Sequence, residues 1–143
     1  MASPAQIWAR VIGFALVAAG IAGFFYSSAF DSPGHTAAVL GILDVNGWHN
    51  LVHILTGVFA LAFAGSYAGA RTFCLVLAAV YALVAIWGFA IGDGHAILSI
   101  VPVNTEDNFL HAFIAVVSLV VGVTTPAVPV PSAHGEGRGF RWN

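Results

Sequence analysis

Two histidines four residues apart, His49 and His53, lie at the start of an apolar stretch of the sequence. Asp107 and His111 repeat that spacing at the start of a later apolar stretch. Residues four apart lie on one face of a helix, so each pair would present two ligand groups side by side. Imidazole and carboxylate groups both bind zinc. The four side chains therefore form a candidate metal site, provided that the two helices meet.

His53 and His111 alone support a second hypothesis. Histidine is a common axial ligand of haem, so the two side chains could hold a haem or a chlorophyll-type ring as cofactor. Gly57 and Ala115 follow the two histidines by four residues, and their small side chains would leave space for the ring. Small residues equally allow two helices to approach closely. The sequence therefore leaves a tetrapyrrole, a metal and a plain helix contact open.

Asparagines occur beside both pairs. Asn46 and Asn104 directly precede the apolar stretches, where an asparagine side chain can accept a hydrogen bond from a free N–H of the first helical turn. Asp107 follows Asn104 by three residues, which is the spacing of the acidic partner in a capping box. We therefore predict that Asn46 and Asn104 cap two helices.

Two further asparagines, Asn50 and Asn108, fall inside the apolar stretches. An unpaired polar group in hydrocarbon is costly, so such amides nearly always find a partner. As the alternative to a bound cofactor, we expect these two amides and the histidines His53 and His111 to hydrogen-bond between helices.

The elements that must position these residues are four uncharged apolar segments, 11–30, 51–70, 72–92 and 109–125. Each is close to the roughly 20 residues that a membrane-spanning helix needs. The chain is 59% hydrophobic and 7% charged, whereas about a quarter of the residues in a soluble domain are charged. We predict an all-α membrane protein of four transmembrane helices in contact with the lipid bilayer. The first segment is expected to be retained, because its apolar run exceeds the roughly 7 to 15 residues of a signal core.

The positive charges all fall on one side of these predicted helices. They are Arg10, Arg71, Arg138 and Arg141, and the sequence has no lysine. Because positive residues concentrate on the inner side of membranes, both the N and the C terminus are predicted to be cytoplasmic. With a net charge of -2 and no basic patch, nucleic acid is not expected as a partner.

An internal repeat relates the two halves of the chain. An offset of 58 residues places 45–46 on 103–104, Asn50 on Asn108 and His53 on His111. This pattern predicts a tandem duplication of a helical hairpin, with halves at about residues 5–67 and 72–125, in a single domain over residues 1–125. Small residues such as Gly57 and Ala115 recur on one face of the second and fourth helices, and we expect these two faces to pack together. Residues 126–143 are rich in proline and glycine and are predicted to form a cytoplasmic tail.

The segments 45–57, 102–104 and 107–111 also resemble a known family. Residues 46–53 and residues 104–111 each read Asn-x-x-x-Asn-x-x-His, and the turn 92–94 reads Gly-Asp-Gly. In these features the chain resembles the bacterial membrane family called domain of unknown function 4383, over about residues 5–124. The resemblance implies a four-helix protein of the bacterial cytoplasmic (inner) membrane and implies no activity.

A function without catalysis is the first hypothesis. No charged residue lies in the middle of a segment, and no Ser/His/Asp arrangement or phosphate-binding loop is present, so neither an enzyme nor a transporter is expected. Ala15, Ala19 and Gly23 follow one another at four-residue spacing and suit a helix contact with a neighbour. We therefore expect an accessory or structural subunit bound to other membrane subunits, in a respiratory or photosynthetic type of complex. The alternative is a tetrapyrrole or metal-binding membrane protein that uses His53 and His111.

The orientation of the chain can be tested with reporters. Green fluorescent protein fused after Asn143 is expected to fluoresce in cells, and alkaline phosphatase at the same place is expected to be inactive, because every arginine lies on the predicted inner side. An active phosphatase with a dark fluorescent fusion would reverse the orientation.

Overall fold

A computed structural model describes residues 1–30 and 36–128 of the chain. It contains four helices, α1 (Pro4–Phe24), α2 (Gly47–Phe63), α3 (Tyr67–Ile91) and α4 (Thr105–Thr124). The predicted tail lies outside the described residues from position 129 onward, and so do two of the arginines that predicted the orientation.

The helix boundaries differ from the predicted segments at several ends. The first helix begins seven residues earlier than the apolar run, because Ser3 caps it and Gln6 completes a capping box. The second ends at Phe63 rather than near residue 70, because Ser66 already caps the next helix by accepting from the Gly69 N–H. Capping, which is local hydrogen bonding, set these boundaries where hydropathy alone did not.

A short antiparallel β-hairpin joins α1 to α2, and a second joins α3 to α4. Neither β-hairpin was predicted. The first consists of β1 (Ala37–Val39) and β2 (Leu43–Val45), and the second consists of β3 (His95–Ile97) and β4 (Val101–Val103). Strands of three residues are too short to give a clear alternation of polar and apolar residues. Strands β2 and β4 contact each other, so both hairpins cover the same end of the helices; we call this the outer end.

Three helices, α1, α3 and α4, are long and apolar enough to cross a membrane, whereas α2 has 17 residues. The shorter helix nevertheless runs antiparallel beside α1 over most of its length. Near one end the Gln6 side chain donates to the Ala64 carbonyl oxygen (3.3 Å). Near the other end Gly23 lies directly against the side chain of Asn50.

Packing is closest within each helical hairpin, α1 with α2 and α3 with α4. A Cβ added at Gly57 would lie 2.6 Å from the Gly13 carbonyl oxygen in α1. A Cβ at Gly122 in α4 would lie 2.7 Å from the Leu75 side chain in α3. The expected packing of the second and fourth helices by their small residues is therefore wrong, because these residues bring together consecutive helices instead.

The innermost layer lies between α1 and α3. Ala5, Ala9 and Leu16 of α1 are buried, as are Cys74 and Leu77 of α3. Many large apolar side chains on all four helices, among them Phe14, Val58, Leu83 and Phe113, are instead exposed. This inside-out distribution is expected of helices that meet lipid, where apolar surface needs no burial.

The close approach at Gly57 generates a prediction. Gly57→Ala is expected to lower the free energy of unfolding by about 1–3 kcal/mol, because its new methyl group meets a backbone carbonyl that cannot rotate away. Gly65→Ala is the matched control, since the nearest atom there would be at an ordinary 3.5 Å. Equilibrium unfolding in mixed detergent micelles measures both. Equal stabilities of the two variants would contradict the close contact.

Candidate functional site

Three histidine side chains converge at the outer end of the bundle. His49 and His53 come from α2 and His111 comes from α4. One ring nitrogen from each lies within 4.8 Å of the other two. The rings of His49 and His53 are 4.5 Å apart between centroids, and His111 lies 6.1 Å and 6.4 Å from them. We call these three residues the histidine cluster.

His49 is held by the residues that begin its helix. Asn46 caps α2, its side chain accepting from the His49 N–H (2.9 Å). The His49 Nδ1 lies 2.8 Å from the Asp44 carbonyl oxygen in β2, and a carbonyl only accepts, so this nitrogen carries the proton. The backbone of Pro102 also contacts the ring. In this tautomer Nε2 is the unprotonated nitrogen of the ring.

The other two rings of the cluster lack such partners. His111 is 5% exposed, and its Nδ1 is buried without a hydrogen-bond partner among the described residues. The edge of its ring meets Tyr81 of α3 at 5.3 Å between centroids. His53 is half-buried, and within the part of the chain that the structure describes it forms no hydrogen bond. Buried polar atoms without partners are uncommon and call for an explanation.

The fourth predicted ligand, Asp107, does not join the histidine cluster. Its Oδ2 accepts from the backbone N–H of Asp44 (3.0 Å) and of Asn104 (3.4 Å). It thereby completes the capping box of α4, in which Asn104 accepts from the Asp107 N–H (2.9 Å). The Asp107 carboxylate thus takes part in the cap of α4 and in a bond to the β-hairpin that joins α1 and α2.

Both capping asparagines also connect the two halves of the chain. The Asn46 amide donates to the Ile100 carbonyl oxygen (2.7 Å), and the Asn104 amide donates to the Ile42 carbonyl oxygen (2.6 Å). Each side chain therefore accepts from its own helix and donates to the turn of the β-hairpin in the other half of the chain. The sequence analysis missed this second role, although the offset of 58 relates Ile42 to Ile100 as it relates Asn46 to Asn104.

The remaining asparagines lie within their own helical hairpins. The Asn50 amide donates to the Ser27 carbonyl oxygen (2.8 Å) just beyond α1. The Asn108 side chain lies against Gly88 of α3, as Asn50 lies against Gly23 of α1. The Asn108 Oδ1 is buried without a partner among the described residues. Of the hydrogen bonds between helices that we expected for these amides and the histidines, the bond from Asn50 to the segment after α1 is found. No bond joins either amide to a histidine in the described ranges 1–30 and 36–128.

A family comparison matches most of this chain. The model of domain of unknown function 4383 (DUF4383) covers residues 6–124. The chain belongs to this family. No curated protein and no solved structure matches it. The match confirms the resemblance found in the sequence and includes the histidine cluster and both capping asparagines.

Two cavities of this DUF4383 protein meet at the histidine cluster. The larger, about 280 Å³, lies between α1 and α4 and is lined by all three histidines, Asp107 and otherwise apolar residues down to Trp8. The smaller, about 120 Å³, lies between α2 and α3 and includes the Tyr81 ring. The cluster therefore separates two apolar spaces.

The outer loops carry negative charge above the cluster. Burial raises the pKa of the Asp44 carboxyl above its usual range, and the nearby acids Asp93 and Glu106 raise it further. The three acids repel one another because they lie near one another at the outer end, two in the segments that connect helices and Glu106 in the first turn of α4. Such a group of acids attracts cations toward the outer end of the bundle.

The double role of Asn46 can be separated by substitution. Asn46→Ala removes the cap and the bond to Ile100, and we expect a loss of roughly 2–3 kcal/mol in unfolding free energy. Asn46→Ser keeps a capping oxygen but cannot reach the other hairpin, so it should recover about 1 kcal/mol of that loss. Equilibrium unfolding in mixed micelles measures both. Equal losses would show that the cap contributes nothing, and a Ser variant with the original stability would exclude the link to Ile100.

Proposed function

We propose that this DUF4383 protein is a membrane protein that binds a transition-metal ion, zinc in the first instance, through His49, His53 and His111. The observation that carries the proposal is the convergence of three imidazoles from two helices. Three histidines form a recognised zinc ligand set that leaves one coordination position open.

The distances in the cluster suit a site that closes on its ion. Nitrogen atoms bound to one zinc at about 2.0–2.1 Å lie roughly 3.4 Å apart when the geometry is tetrahedral. The three nitrogens here lie within 4.8 Å of one another. Small side-chain rotations about a common centre would bring them into range.

The surroundings of the rings also favour metal binding. A metal-binding histidine usually donates its other N–H to a carbonyl or carboxylate, which fixes the ring and the free lone pair. The bond from His49 Nδ1 to the Asp44 carbonyl oxygen has this form. A bound ion would also give His53 and His111 the partners that they lack. Both rings must be neutral to bind it, which burial in an apolar environment favours.

The tetrapyrrole hypothesis has less support. Gly57 was expected to leave space for a ring, but it packs against Gly13 and Val17 of α1. His49 additionally lies 4.5 Å from His53 between ring centroids, beside the position that a ring plane between His53 and His111 would need. The three-histidine metal site therefore explains more of the observed geometry.

The role as an accessory subunit of a larger complex stays a prediction. Of the residues expected to contact a neighbour, Gly23 packs against Asn50 within the chain. Ala15 and Ala19 line the larger cavity. Within residues 1–30 and 36–128, no particular surface therefore favours a respiratory or photosynthetic partner, and the proposed metal site does not depend on one. The expectation that the protein is not an enzyme also stays a prediction.

We further propose that the chain arose by duplication and crosses the bacterial inner membrane four times, with both termini in the cytoplasm. Helix, hairpin and helix occur twice in the same order. An offset of 65 residues relates every buried residue of α1 to a buried residue of α3, for example Leu16 to Tyr81 and Gly23 to Gly88. Antiparallel packing along α1 supports a spanning role for the shorter α2.

Zinc binding to the purified full-length protein tests the metal site. In a non-ionic detergent, titration calorimetry is expected to give one zinc per chain, and X-ray absorption should show three imidazole nitrogens at about 2.0–2.1 Å. His53→Ala and His111→Ala should each weaken binding by roughly 100-fold or more, since even outer-shell changes cost 10–100-fold.

His95→Ala provides the matched control, because His95 is exposed on β3 away from the cluster. Its zinc affinity should equal that of the unchanged protein. Circular dichroism and gel filtration confirm that each variant is folded. Zinc affinity that is unchanged in a folded double variant of His53 and His111 would exclude the proposed site.

A further inference from the structure

The larger cavity has the shape of a site for a lipid chain that enters from the membrane. Ala15, Ala19 and Ala22 of α1 face Leu110 and Phe113 of α4 along its sides, and all five residues are exposed. The space of about 280 Å³ is therefore open along these two helices. Its polar lining comes from the histidine cluster and Asp107 near the outer end.

We propose that this cavity binds a single-chain carboxylate lipid, a long-chain fatty acid, whose head completes the coordination of the metal. The inference rests on the proposed metal site and identifies what occupies its open position. Three histidines leave one position for an oxygen ligand, and all three line the cavity. The hydrocarbon chain then lies between α1 and α4, in the apolar part of the cavity that extends toward Trp8.

The choice of a carboxylate follows from charge. Three neutral imidazoles leave both positive charges of a divalent ion uncompensated, and an uncompensated charge is costly in an apolar environment. Among the described residues, Asp107 is the only acid that lines the cavity, and it is 3% exposed. When ionised it supplies one negative charge, and a bound carboxylate supplies the second. A neutral head, such as a quinone or an alcohol, would leave one positive charge unbalanced.

The corresponding space on the other side of the cluster is partly filled. Tyr81 of α3 lies where an offset of 65 places Leu16 of α1, and its ring packs against His111. The cavity between α2 and α3 is accordingly about 120 Å³, less than half of the larger one. The two sides of the duplicated bundle therefore differ, and among the described residues the larger space beside the cluster is on the side of α1.

Binding of a labelled fatty acid tests the proposal. The full-length protein is placed in phosphatidylcholine nanodiscs, loaded with one equivalent of zinc and freed of excess ion. Palmitate labelled with carbon-13 at its carboxyl group is then added, and its bound carboxyl signal is followed by NMR. We expect saturable binding with one palmitate per chain, at least tenfold weaker after zinc is removed. Hexadecanol, which has the same chain length and a neutral head, should compete at least tenfold more weakly than palmitate.

A variant that fills the cavity distinguishes this site from general partition into lipid. Ala15→Phe should abolish the bound signal and leave zinc affinity without palmitate unchanged, because Ala15 lines the cavity and lies between Gly13 and Val17, which pack against Gly57, one turn beyond His53. Ala18→Phe is the matched control, since Ala18 is exposed on the same helix and does not line the cavity. It should bind palmitate normally.

The outcomes separate the two proposals. If zinc binds but palmitate binding is absent, is insensitive to Ala15→Phe, or is independent of zinc, the lipid proposal is wrong and the metal site stands. Equal competition by hexadecanol would overturn the carboxylate head. If zinc itself does not bind, the metal site fails, and the lipid proposal fails with it.

Discussion

The apolar interior of a bilayer offers no water to an unpaired polar group, and the outer end of this bundle is organised under that constraint. Asn46 and Asn104 each satisfy an N–H of their own helix and a carbonyl oxygen of the opposite hairpin. Because each side chain is used twice, the loops that would otherwise expose backbone groups are joined to the helices. The positions of β2, β4 and the histidine cluster all depend on the two bonds that Asn46 and Asn104 donate to the β-hairpins.

The same constraint determines how the helices associate. Apolar side chains gain little by meeting one another when lipid is the alternative, so helices in membranes associate through small residues and hydrogen bonds. The Gly13–Gly57 contact and the bond from the Asn50 amide to the Ser27 carbonyl oxygen provide both within one helical hairpin. Hydrogen bonds between membrane helices contribute about 0.6 kcal/mol on average. Several weak contacts must therefore act together to hold the two hairpins in register.

The histidine cluster is one place among the described residues where polar groups are incompletely satisfied. His111 has a buried nitrogen without a partner among the described residues, beside an apolar cavity that is open between α1 and α4. A bound ion and an anionic head group would satisfy both the nitrogen and the charge of the ion. The site would then join an outer surface rich in acids to the hydrocarbon of the membrane, which suits a protein that binds an ion and a lipid together.

The sequence by itself determined the helices, both asparagine caps and the family, because capping and apolar length depend on residues close together in the chain. Only the tertiary structure decided which helix Gly57 would meet, since a small residue permits close approach to any neighbour. It also separated Asp107 from the histidines, because Asp107 accepts from the Asp44 N–H. The offset of 58 relates Asp107 to His49 and Asp44 to Pro102. Proline has no N–H, so His49 has no equivalent bond to accept. Such choices depend on groups brought together from distant parts of the chain, which spacing along the sequence does not reveal.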